Sequence, residues 1–351
     1  MKATSAKATG KLVAAFLAGA WRPKPPATNI SAAELETIAP LLMRTGAGAI
    51  GWWRVCQSEL RGSIAADEFH QAYRLYRLDS RLSNSRVEKV FALLRSFGVE
   101  GILVKGWAAA RYYPEPGLRP AGDIDICVRQ HDSQTARRAL ASLDPLKFKV
   151  DLHSGFAKFG LTHEEDLYAR SELVRLGETD VRILGPEDHL RVVSYHLMRE
   201  GAWRPLWLVD VAAALEARVP EFDWDYCFGE KQQARPVVNA INLAHILLGA
   251  KIDAMPEKHR FLETPRWLVP TVLKEWGSPK PSMPSRQAVP MLSHLRLRRE
   301  VLNGLGHRWP NPIEATTTMR GPFNNFPRLP FQIGNSLHRS GVFLRHLLRA
   351  S

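Results

Sequence analysis

The chain has 351 residues, 45% of them hydrophobic and 24% charged, and a formal net charge of +13. That length buries a substantial core in one large domain or two to three smaller ones, and the positive balance points to polyanions (nucleic acid, nucleotides or an anionic membrane surface) or to a basic surface that only aids solubility. No stretch approaches the ~20 apolar residues of a spanning helix, and Cys56, Cys127 and Cys227 are too scattered for a disulfide framework or a structural zinc site, which fits a reducing cytoplasm.

At the N-terminus, Lys7 and Lys11 precede the apolar run 12–17 and Ala18-Gly19-Ala20, which imitates a secretory signal. The run is short, and a first amphipathic helix ending near Gly19 is the favoured reading. Pro23, Pro25 and Pro26 then make a stiff connector. Ser31 is placed to cap a helix with Glu34 as its capping-box partner, because Ala32, Leu35, Ile38 and Leu41 follow at helical spacing. Helical segments come next at about Ala66–Leu82 and over Val87, Val90, Phe91 and Leu94, stopping at Gly98.

Alternation replaces the helical period from residue 101. Strands are predicted at 101–105, 123–128, 147–153 and 179–184, with a further candidate at 155–161 and a helix across Ser133–Leu143. Helical spacing returns after Pro186, over Leu190, Val193 and His196, then at Leu206–Ala217 and Val237–Leu248. From Arg286 onward ten arginines (286, 296, 298, 299, 308, 320, 328, 339, 345 and 349) face only Glu300 and Glu314, so +8 of the net charge sits in this Pro-rich stretch. It could contact RNA or another polyanion, lie on a membrane surface through the basic amphipathic segment around Leu337–Arg349, or pack on the body of the protein. The expected organisation is a helical N-terminal region (1–85), an α/β core (86–185), a helical region (186–280) and a basic C-terminal region (281–351). The fold class is α/β in the α+β sense, a small mixed sheet with helices between mainly helical flanks.

Chemistry concentrates between residues 102 and 153. Asp123 and Asp125 alternate with Ile124 and Ile126, so both carboxylates point to one face of a short strand, where they require a cationic partner if partly buried. Asp151, in the alternating segment Phe148–His153, joins them if the two strands pair. Three carboxylates of this kind suit Mg²⁺ and phosphoryl transfer. Gly106 lets the backbone approach a phosphate, and the short helix beginning at Trp107 offers free N–H groups. Lys105 and Arg119 are phosphate-contact candidates; Lys105 could equally be a solvated strand end, and Arg119 could pair with Asp123. Trp107 and His153 read first as structural, and no zinc site is expected from His189 and His196. Asp188 reads as a helix cap, and Arg204 and Asp210 as links between helices.

Lys105-Gly106, Tyr112-Tyr113-Pro114, Gly117-Leu118-Arg119-Pro120 and Gly122-Asp123-Ile124-Asp125, in this order, resemble the uncharacterised nucleotidyltransferase family of the polymerase-β-like nucleotidyltransferase superfamily. Asp151-Leu152-His153 resembles its acidic-x-His strand, and the segments 186–196 and 204–210 its helical continuation, so the likeness covers about 85–215. The resemblance implies Mg²⁺ (or Mn²⁺) on Asp123 and Asp125, and Asp151 as a third ligand or as the base for an incoming hydroxyl. The triphosphate of an NTP such as ATP would lie against Lys105, Gly106, Trp107 and Arg119. It implies transfer of a nucleoside monophosphate to an acceptor (a small molecule, a peptide or protein side chain, or an RNA end) with release of pyrophosphate. Trp107 stands where the superfamily usually has glycine or serine, and the spacing from Gly106 to Asp123 is longer than usual. Both departures raise the alternative of a catalytically degenerate module that binds nucleotide or RNA.

Overall fold

Residues 31–44 illustrate how local chemistry sets the helical part of the fold. In the computed structural model, which describes residues 5–161, 163–229, 231–260, 263–279 and 309–350, the Ser31 hydroxyl accepts from the Glu34 N–H and Glu34 reaches back to the Ser31 N–H. This predicted capping box opens α2 (Ala32–Arg44), which buries Leu35, Ile38, Leu41 and Leu42. Before it lies α1 (Ala6–Leu17), the expected first amphipathic helix, and after it α3 (Gly48–Val55).

The next helix, α4 (Ile64–Ser96), is one element of 33 residues where two segments were expected. The polar stretch Asp79–Arg86 interrupts the apolar period but contains no glycine or proline to break the backbone, so the helix runs through. The boundary expected at residues 85/86 therefore falls inside a helix. The first half of α4 packs on α3, and the second covers one face of the sheet.

That sheet has five strands: β1 (Ile102–Leu103), β2 (Ile124–Val128), β3 (Val150–Ser154), β4 (Glu172–Leu176) and β5 (Thr179–Ile183), in the order β3-β2-β1-β5-β4. It is mixed. β1 runs antiparallel to β2 and parallel to β5, β2 runs parallel to β3, and β4 runs antiparallel to β5. Between β1 and β2 lies the one-turn α5 (Trp107–Ala110); between β2 and β3 lie α6 (Ser133–Leu140) and α7 (Pro145–Phe148). The candidate strand at 155–161 is instead a turn with a 3-10 segment over Ala157–Phe159, because Gly155 and Gly160 both take positive φ and curl the chain back. β4 was not anticipated; it is an edge strand with exposed Glu172, Leu173 and Arg175, and its weak alternation explains the omission.

Alternation along β2 divides the sheet chemically. Ile124, Ile126 and Val128 join Leu103, Val181 and Ile183 against Val87, Val90, Phe91 and Leu94 of α4 and Ala136 and Ala139 of α6. Each such fully buried aliphatic or aromatic side chain contributes about 1.5–3 kcal/mol of transfer free energy. The opposite face carries Asp125, Cys127 and His153, over a smaller cluster that includes Val104, Phe156, Phe159 and Val192.

α8 (Glu164–Arg170) leads into the β4–β5 pair, and past β5 the elements of the described residues are helices: α9 (Pro186–Arg199), α10 (Pro205–Glu216), α11 (Trp224–Phe228), α12 (Lys231–Leu248), α13 (Glu257–Arg260) and α14 (Leu268–Trp276). Proline occupies the first turn of both α9 and α10, where its missing N–H costs nothing. α9–α12 and α14 share the large apolar core with α1–α3. Of the basic C-terminal stretch, Arg286, Arg296, Arg298, Arg299 and Arg308 lie outside the described residues, as do the side chains of Arg345 and Arg349. The described part, α15 (Pro312–Thr318) and α16 (Leu329–Ala350), is tied to the body: Asn311 donates to the Gly201 carbonyl, Thr317 donates to that of Met198, and Arg339 pairs with Glu314. Among the described residues no helix is long and apolar enough to cross a membrane.

Candidate functional site

Asp125 and Asp151 are direct neighbours across the parallel β2–β3 pair, and Cys127 faces His153 one step along. Because side chains alternate, this register puts both carboxylates and the imidazole on the same face of the sheet. One ligand atom from each of Asp125, Asp151 and His153 lies within 4.8 Å of the others, a spacing that can hold a metal ion. His153 Nε2 stands 3.3 Å from Asp125 Oδ1 and 3.3 Å from Asp151 Oδ2. Asp125 and His153 are buried and Asp151 is exposed, so the cluster opens to solvent on the β3 side.

Two lysines close the cluster electrostatically. Lys105, just past β1, places Nζ 2.8 Å from Asp125 Oδ1; Lys158, in the 3-10 turn after β3, places Nζ 2.8 Å from His153 Nδ1 and 3.5 Å from Asp151 Oδ2. Both ammonium groups also lie over the Phe159 ring. Burial works to raise the Asp125 carboxyl, but the hydrogen bond from His153 and the Lys105 charge outweigh it and hold its pKa below the ordinary carboxylate value. On α9, burial raises Glu200 against the opposing charges of Arg199, Lys105 and Lys158, and drives the pKa of His196 well below its usual value. Arg199 donates to the Lys158 carbonyl, which anchors the 3-10 turn to α9.

Gly106 has φ +58°, a conformation that favours glycine, and an added Cβ would sit 3.2 Å from the Asp123 carbonyl oxygen. The Lys105-Gly106 turn and the loop leading into β2 therefore touch through their backbones. Trp107 begins α5, and its indole N–H donates to Asn84 on α4 at 2.7 Å, so this half-buried side chain pins the turn to the long helix. Asp123 precedes β2 with its carboxylate exposed, outside the three-residue cluster.

Arg119 is committed elsewhere. It pairs bidentately with Asp210 (Nε–Oδ1 3.2 Å, second contact 3.0 Å) and donates a third bond to the Pro120 carbonyl. The Tyr113 hydroxyl donates to the same Asp210 at 2.7 Å. The pair Arg119–Asp123 does not form; instead Arg119 and Tyr113 fasten the loop between α5 and β2 to α10 through Asp210. Arg204, at the start of α10, donates to the Thr45 carbonyl. Arg204 and Asp210 thus link segments, as expected. Asp188 is fully buried and accepts from Tyr226 and Arg191, a role deeper than a helix cap.

Sequence reasoning read His153 as structural and did not single out Lys158, and the structure brings both to this cluster. The i,i+2 spacing of Asp151 and His153 in a strand is a usable signal for a shared face. Lys158 lies five residues further, past the turn at Gly155, and periodicity cannot carry a strand register around such a bend.

The donor chemistry fits a hard divalent cation. Two carboxylate oxygens suit Mg²⁺ or Mn²⁺, and the imidazole nitrogen shifts the preference toward Mn²⁺. A solved structure of an antigenic nucleotidyltransferase-like protein from Paracoccidioides brasiliensis is similar over 48% of this chain and 93% of that one, with 16% identity and a TM-score of 0.36. No curated protein matches the chain. The sequence profile of the family described as "Uncharacterised nucleotidyltransferase" matches residues 31–249, which extends the resemblance read from 85–215 back to the start of α2 and forward through α12. With the family matched over more than half of its length, and with a mixed α/β sheet at its centre, this chain belongs to the uncharacterised nucleotidyltransferase family.

Proposed function

We propose that this protein transfers a nucleoside monophosphate from an NTP, ATP being the first candidate, to an acceptor hydroxyl. The observation that carries this reading is the pairing of Asp125 with Asp151, flanked by His153, Lys105 and the Gly106 turn. A bound Mg²⁺ or Mn²⁺ would neutralise the triphosphate and align the departing pyrophosphate. Asp125, Asp151 and His153 would hold the ion, with Asp123 at the exposed mouth available to the same ion or to a second.

In this reading Lys105 moves from Asp125 to the phosphates, and the backbone at Gly106 and Trp107 lets them approach. Arg119 serves by fixing, through Asp210, the loop that delivers Asp123; a direct phosphate contact would require it to leave that pair. Asp151, the exposed carboxylate of the cluster, accepts the proton of the acceptor hydroxyl as its oxygen bonds to the α-phosphorus. The bond from the α-phosphorus to the bridging oxygen then breaks, and pyrophosphate leaves with that oxygen. The acceptor is a small molecule, a peptide or protein side chain, or an RNA end, and an NTP substrate places the work in the cytoplasm.

A second reading, nucleotide binding without turnover, is favoured by Trp107. It stands in place of the usual glycine or serine and is tied to Asn84. Pyrophosphate release from each NTP, measured with Mg²⁺ or Mn²⁺ against mixed acceptor pools, separates the two. The transferase reading predicts metal-dependent release that Asp125→Asn lowers by about a hundredfold or more. Release unaffected by that substitution removes it, and nucleotide binding with no release in any pool supports the second reading.

A further inference from the structure

The cluster that would receive the metal is already neutralised by the protein's own side chains. An ammonium group donates hydrogen bonds and cannot accept them. Lys158 Nζ, 2.8 Å from His153 Nδ1, therefore makes Nδ1 the lone-pair nitrogen and puts the imidazole proton on Nε2. That proton is donated to Asp125 Oδ1 at 3.3 Å, and Asp151 Oδ2 stands equally far from Nε2. Lys105 donates to the same oxygen, Asp125 Oδ1, at 2.8 Å.

For His153 to bind a metal through Nε2, its proton must move to Nδ1, where it would face the Lys158 ammonium donor to donor. Lys158 has to withdraw first. Its head group is free to do so: the side chain is one-third exposed and sits on a single 3-10 turn, while its backbone carbonyl stays anchored by Arg199. A polyanion at the Gly106 turn would supply the pull.

We propose that Lys158 is a phosphate-responsive latch on the metal site. Without nucleotide it holds His153 in the tautomer that cannot use Nε2 as a ligand; when a triphosphate arrives, the ammonium transfers to the phosphates and frees the imidazole. Metal and nucleotide then bind as a coupled pair. This inference rests on the nucleotidyl-transfer reading of the same site, and it gives Lys158 a phosphate contact and a positioning role toward His153.

The test is Mn²⁺ binding followed by electron paramagnetic resonance, with and without a non-hydrolysable α,β-methylene ATP, on the wild type, Lys158→Met, Lys158→Arg and Asp125→Asn. In the wild type the nucleotide tightens Mn²⁺ binding about tenfold or more. Lys158→Met tightens Mn²⁺ binding about fivefold in the absence of nucleotide and shrinks the coupling accordingly, and Lys158→Arg restores the coupling. Nitrogen-15 NMR, with the signal assigned by His153→Gln, distinguishes a latch from a general charge effect. Nucleotide without metal shifts the His153 Nδ1 resonance in the wild type and leaves it in place in Lys158→Met. Wild-type Mn²⁺ affinity and coupling in Lys158→Met, or an Nδ1 resonance that ignores nucleotide, overturns the latch. Asp125→Asn judges the underlying site separately: if it binds Mn²⁺ as the wild type does, the site reading fails whatever Lys158 does.

Discussion

His189 on α9 shows how one buried side chain makes the fold sensitive to acid. It is almost fully buried, it packs against the Tyr112 ring at 4.9 Å, and among the described residues its Nε2 has no hydrogen-bond partner. Burial pushes its pKa down to about 4, with Asp210 opposing and Arg119 adding to the fall. The unfolded chain, with an ordinary histidine pKa near ~6.5, binds the proton that the folded chain refuses. Stability from this group is therefore complete above that value and falls as pH drops toward 4, by up to about 3 kcal/mol. His189→Phe keeps an aromatic ring beside Tyr112 and removes the titration. Its thermal midpoint should fall less than that of the wild type between pH 7 and pH 5; an identical fall in both proteins contradicts this account. At the same scale, alternation in the sequence put Asp151 beside Asp123 and Asp125 on the condition that their strands pair; the parallel β2–β3 register meets that condition for Asp125 and leaves Asp123 outside the cluster. The sequence did not disclose the partner of Arg119. Asp210 lies 91 residues away on α10, and no local pattern encodes that contact.

Elements were legible where local chemistry dominates. The Ser31–Glu34 box, the return of helical spacing after Pro186 and the alternation of β2 all act within a few residues. The unbroken α4 and the edge strand β4 were not legible, because one is settled by the absence of a breaker and the other by pairing with β5. The N-terminal helix supplies a test at this scale. α1 crosses α14 so closely that a Cβ on Gly10 would lie 1.9 Å from the Leu273 carbonyl oxygen, a backbone atom that cannot rotate away. Gly10→Ala should destabilise the protein by about 1–3 kcal/mol despite the better helix propensity of alanine. The result is read as a lower urea midpoint with an unchanged slope. An unchanged or raised midpoint would mean that α1 sits further from α14 than described.

For the whole molecule, the sheet with its α4–α6 cover and the helical body built from α1–α3, α9, α10, α12 and α14 meet at one place. Lys105, the Gly106 turn and Asp125 come from the sheet side, and Asp210 and the Arg199 anchor come from the helices. Family membership and this convergence together make a metal–triphosphate centre on β2 and β3 the central claim. Crystals grown with Mn²⁺ and a non-hydrolysable ATP analogue test it most directly through the anomalous signal of manganese. The account predicts a peak at about 2.1 Å from oxygens of Asp125 and Asp151, with the triphosphate beside Gly106 and Lys105 drawn off Asp125. A triphosphate bound elsewhere, or manganese absent from these carboxylates while Lys105 still holds Asp125, would contradict it.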